Sequence, residues 1–135
     1  MKVAPAMVVL LLLGVLLGGC GSQEISVSKS SPYYTGAALF LEHCSGCHTL
    51  AVVGAEGSAT SIQNRVRTNG PNFNYRKENK EQVLYALRNG GFSGAIMPEN
   101  IVVGEQAEAV ANFLAAYSGR EAQKVPSTTI KLSTK

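Results

Sequence analysis

The sequence predicts an all-α domain of three to five helices. Val83, Leu84 and Leu87, and further on Val110, Phe113, Leu114 and Tyr117, recur at helical spacing. Helix-start signals precede them: Ser31 before Pro32, and Asn79 three residues ahead of Gln82. The third observation is Cys44-Ser45-Gly46-Cys47-His48, where residues three and four apart put two thiols and an imidazole on one face of a helical backbone. The chain has 135 residues and a net charge of +3. Once its ends are set aside about 90 residues remain, a size at which a protein-only core is marginal and a buried prosthetic group would supply missing apolar mass.

At the N-terminus, Lys2, the apolar run Met7 to Leu17 and the small residues Gly18-Gly19 read as an export signal over residues 1–19, with an uncleaved anchor as the alternative. The run is short for a bilayer span, and Pro5 and Gly14 weaken it as a helix. Leu17-Gly18-Gly19-Cys20 resembles the lipobox of bacterial lipoproteins, in which the cysteine is acylated and becomes the mature N-terminus; Gly18 is a less typical residue there. More than one acyl chain, at about 0.8 kcal/mol per buried methylene, makes such an anchor firm. Residues 20–31 are Ser-rich with little to bury and are expected to form a flexible tether. The expected folded domain covers residues 32–119, and the polar residues 120–135 are expected to be a disordered tail.

The first helix is expected from Pro32 to about His43, with Ser31 as its cap. Gly36 is unfavourable there by roughly 0.5–1 kcal/mol relative to alanine, which points to a close helix crossing at Gly36 and Phe40. The five-residue motif follows at once. In Cys-x-x-Cys-His, each thiol S–H adds across a haem vinyl group to give a thioether, and the histidine is placed to ligate the iron. A redox Cys-x-x-Cys expects a βαβ setting, which this sequence lacks. A zinc site needs about four ligands, and besides the motif only His43 and Cys20 are on offer. The cysteine count agrees with haem c, since Cys44 and Cys47 are used and Cys20 is left without a disulfide partner.

Thr49 to Asn69 reads as a surface loop with one helical turn around Ile62 to Val66. The second helix opens at Asn79 and closes at Asn89-Gly90-Gly91, with the Gly-rich stretch to Gly94 passing close to the haem edge. The other axial ligand follows by elimination: His43 is on the wrong side, Met1 and Met7 leave with the signal, and Met97 remains. A five-coordinate iron and a lysine ligand are the alternatives. Pro98 stiffens the ligand loop. The last helix is expected from Glu105 to Tyr117, its first turn acidic as the helix dipole favours.

Taken together, Gly36, Phe40, Cys44 to His48, Gly70-Pro71-Asn72-Phe73 and Met97-Pro98 resemble, in kind and order, the class I c-type cytochromes, over about Pro32 to Tyr117. The resemblance implies the class I cytochrome c fold around one covalently attached haem, and a Pro71 carbonyl that accepts a hydrogen bond from the His48 ring. It implies an electron-transfer protein rather than an enzyme, cycling Fe(II)/Fe(III) between transient redox protein partners. A haem c subunit of a larger oxidase or dehydrogenase is the runner-up. The loop from Thr49 to Asn69 is longer than the shortest family members need. Arg65, Arg67, Arg76 and Tyr75 are the candidates for the haem propionates. Nucleic acid is not expected as a partner, because the basic residues form no tract interleaved with aromatics; nor is a small-molecule substrate. The signal and lipid anchor predict an exported protein held on an envelope membrane facing the periplasm.

Overall fold

Helix α1, Tyr34–His43, opens two residues later than Pro32 in the computed structural model, which describes residues 24–91 and 96–121. Ser31 spends its carbonyl on the Tyr34 N–H at 3.1 Å and its hydroxyl on the Tyr33 N–H at 3.2 Å, so Pro32 and Tyr33 form a turn ahead of the helix. The Cys44 N–H closes α1 on the Phe40 carbonyl at 2.8 Å. From there the motif continues as turns, with the Cys47 and His48 N–H groups both donating to the Cys44 carbonyl, at 3.1 and 3.0 Å.

Thr49 to Asn69 differs from the expected plain loop. Strands β1, Thr49–Leu50, and β2, Ala55–Glu56, pair antiparallel with Leu50 opposite Ala55. A 3-10 turn, Ala51–Val53, and Gly54 at φ 65° connect them, a backbone angle that glycine adopts without a Cβ penalty. Over Ile62–Val66 the chain makes a single turn, the Arg65 N–H on the Ile62 carbonyl at 3.4 Å, and goes no further into a helix, because side chains take up the flanking backbone donors: Asn64 Oδ1 accepts from the Ser61 N–H at 3.0 Å and Asn69 Oδ1 from the Val66 N–H at 2.8 Å.

Helix α2, Lys80–Asn89, has the expected capping box, with the Gln82 N–H on Asn79 Oδ1 at 2.9 Å and the Asn79 N–H on Gln82 Oε1 at 3.0 Å. Helix α3, Gly104–Tyr117, buries Val110, Phe113 and Leu114 on one face. It crosses α1 at Gly36, where an added Cβ would lie 2.6 Å from the Phe113 Cβ and closer still to the Ala109 carbonyl. Phe40 sits below the crossing, its ring centroid 6.0 Å from those of both Phe113 and Phe73. A fully buried Phe contributes about 1.5–3 kcal/mol, so this trio anchors the core.

The domain reaches beyond the expected 32–119 at both ends. Val27 is buried, Ile25 packs on the core and the Ser26 N–H donates to the Val52 carbonyl at 2.8 Å, so the flexible tether does not extend to Ser31. At the other end the Gly119 and Glu121 N–H groups bond the Phe73 and Asn74 carbonyls at 2.8 and 2.9 Å, so the expected tail cannot begin at Arg120. Among the described residues no helix is long and apolar enough to cross a membrane. The export signal, Cys20, the haem-edge reading of Gly94 and residues 122–135 lie outside the described residues.

Candidate functional site

Cys44 and Cys47 stand on the turn that ends α1, and His48 enters the hairpin directly after them. Opposite, the segment after α2 carries Met97, hung on main-chain bonds: the Ile96 N–H to the Arg67 carbonyl at 3.1 Å and the Asn100 N–H to the Leu87 carbonyl at 2.7 Å. Between them lies one cavity, whose lining includes Cys44, Cys47, His48 and Met97. Its remaining wall is mainly apolar, with Phe40, Leu87, Val110 and Leu114 from the three helices.

His48 is almost fully enclosed. Its Nδ1 lies 3.1 Å from the Pro71 carbonyl, and its ring stacks on Phe73 with centroids 4.8 Å apart and planes 14° from parallel. Gly70 is there because nothing larger fits: a Cβ would lie 2.7 Å from His48 Nε2 and closer still to Nδ1 and Cε1. Burial pushes the imidazole below its usual pKa; Arg76 acts in the same direction, and the Pro71 hydrogen bond opposes it. The neutral ring, with Nδ1–H donated to Pro71, leaves the Nε2 lone pair for a metal. Burial, and secondarily Cys47, pushes the Cys44 thiol up to about 12, so it stays protonated at neutral pH. Both motif cysteines are free thiols.

The donor set fits a c-type haem: two unpaired thiols at the attachment spacing, one neutral imidazole and one thioether share a mainly apolar cavity. The Cytochrome c family model matches residues 34–118. The chain belongs to the cytochrome c family. Among solved structures this cytochrome is similar to the c-type cytochrome SorU from Sinorhizobium meliloti, at 33% identity and a TM-score of 0.51, covering 65% of this chain and 92% of that one. No curated protein matches it. The cofactor is covalently bound haem c, the fold is that of the class I c-type cytochromes, and the protein is a haem electron-transfer protein.

The four propionate candidates separate. Arg76 lines the cytochrome's haem cavity, Arg65 lines a neighbouring cleft, and Arg67 and Tyr75 are exposed and off the cavity lining. His43 also reaches the cavity wall, with Nε2 3.8 Å from a Glu42 carboxylate oxygen. Glu78 escaped the sequence reading: it is buried on the cavity wall, its Oε1 2.5 Å from Arg76 Nε, and its backbone N–H donates to the Ser118 hydroxyl at 2.9 Å. The only signal was spacing, since residues two apart in extended chain point the same way.

Proposed function

We propose that this protein is a membrane-tethered monohaem cytochrome that carries single electrons between transient protein partners, with His48 and Met97 as axial ligands. One observation carries the reading: Met97 lines the same cavity as Cys44, Cys47 and His48. When bound, haem c supplies a one-electron Fe(II)/Fe(III) couple. Cys44 and Cys47 hold it by thioether bonds. His48 offers Nε2 while Pro71 fixes the tautomer and strengthens the donor. Met97 offers a soft sulfur, which favours the reduced state and raises the potential. Phe40, Leu87, Val110 and Leu114 keep water from the centre, which also favours the state of lower charge.

Acylation at Cys20 would tie the domain to the outer face of an envelope membrane, facing the periplasm, through the residues ahead of Ile25. Docking of redox partners would be small in area and short-lived, as electron-transfer encounters are.

The test is spectroscopic. The purified protein should be red, keep its haem through acid–acetone extraction, and show a weak far-red band in the ferric form that Met97→Ala abolishes. A colourless protein defeats the haem reading, and an unchanged spectrum in the variant defeats Met97 as ligand. Growth with labelled palmitate should label the wild type and leave Cys20→Ser unlabelled; an unmodified Cys20 on the mature chain removes the anchor.

A further inference from the structure

The segment 57–77 carries Arg65, Arg67, Arg76 and Lys77 and no acidic residue, although the chain has 9 in all. Arg76 is paired with Glu78, whereas no acidic side chain among the described residues pairs with Arg65 or Arg67. Around those two arginines lie exposed apolar side chains, Ile62 at 88% and Val66 at 57%. Solvent-exposed apolar groups beside unpaired charge are what a docking surface offers.

This loop is held in shape. Asn64 bonds the Ser61 N–H and the Thr60 hydroxyl, and Asn69 bonds the Val66 N–H and, through its amide, the Gly57 carbonyl at 2.8 Å. The Gly70 N–H then ties the loop to the Cys47 carbonyl at 2.7 Å. A preformed loop loses little freedom on binding. Its cleft, lined by Thr60, Ile62, Arg65 and Asn69, shares Gly70, Pro71 and Arg76 with the haem cavity. Pro71 in turn is the residue bonded to His48.

We propose that the loop Gly57 to Asn69 is the docking face for an acidic one-electron protein partner, whose carboxylates pair with Arg65 and Arg67 while its apolar surface covers Ile62 and Val66. The inference rests on the electron-transfer reading above and adds the partner's chemistry and its seat. A protein partner fits this face better than an anionic membrane does, because the cleft backs directly onto the His48 wall of the cavity, and lipid seated there would shut partners away from it.

Reduced flavodoxin, an acidic one-electron donor, serves as the probe for the ferric holoprotein. At low ionic strength, Arg65→Glu/Arg67→Glu should lower the second-order rate constant about tenfold, with the difference vanishing at high salt. Lys29→Glu, an equal change of charge per residue outside this face, should have little effect. Ile62→Ser should weaken binding without changing the salt dependence. All variants should keep the wild-type spectrum and midpoint potential, and amide shifts on flavodoxin titration should centre on residues 57–70. Equal rates in wild type and the double variant overturn the proposal. So does binding of the wild type to vesicles of equal parts phosphatidylcholine and phosphatidylglycerol that is lost in the double variant while the flavodoxin rate stays unchanged. A wild-type protein without haem would instead defeat the electron-transfer reading itself.

Discussion

On the His48 side of the cavity the ring is fixed from three directions, by the Pro71 carbonyl, the stacked Phe73 and the backbone of Gly70. On the Met97 side the main chain is pinned at Ile96 and Asn100, and the methionine side chain is half-buried. The first wall is made of side chains and backbone that leave no slack, so its ligand is positioned before any group binds. The second is a segment hung from the end of α2 and from the Arg67 carbonyl, so its ligand is positioned by where the main chain runs. Disturbing a packed wall costs more than trimming a suspended one.

Gly70→Ala should therefore have the largest effect. Its methyl would overlap the His48 ring, which Phe73 keeps from turning away. A loss of about 3 kcal/mol is expected, with a sharp fall in the yield of covalent haem; thermal unfolding and haem content per chain measure both. Wild-type values would mean that the His48 wall is looser than its packing. Gly36→Val strikes the same wall from behind, by forcing α1 from α3 at the Ala109 carbonyl. The expected cost is about 2 kcal/mol, or roughly 10 °C in melting temperature. Met97→Ala should cost less, about 1–2 kcal/mol, because the side chain is half-buried, and haem should stay attached through Cys44 and Cys47. Equal losses from Met97→Ala and Gly70→Ala would erase the contrast between the walls.

The sequence exposed the parts governed by local rules. The capping box at Asn79 and Gln82 and the stripe through Val110, Phe113 and Leu114 each follow from residues within a turn or two, and both are present. The attachment motif was legible because its chemistry needs adjacent residues. The hairpin at Thr49–Glu56 was not, since two-residue strands carry no period to detect. Val27 read as tether because its segment is held by the Ser26 N–H bond to the Val52 carbonyl, remote in sequence. Glu78 was not legible because a charge is buried only when its partners are at hand, and Ser118, which bonds its backbone N–H, is remote in sequence.

The smallest effect tests whether the suspended wall really hangs from α2. Asn79 caps that helix at its N-terminus, and the Leu87 carbonyl near its other end receives the Asn100 N–H that fixes the segment after Met97. Asn79→Ala removes one capping bond at a residue that does not itself line the cavity, so it should lower stability by about 1 kcal/mol. Because α2 is also held by its packing on α3 and by the Lys80–Glu108 ion pair at 2.7 Å, the loss should appear as fraying of its first turn. Amide exchange should then speed up at Gln82 and Val83 and stay unchanged at Asn100. Faster exchange at Asn100 would show that the wall carrying Met97 yields with the start of the helix, and that its position depends on all of α2.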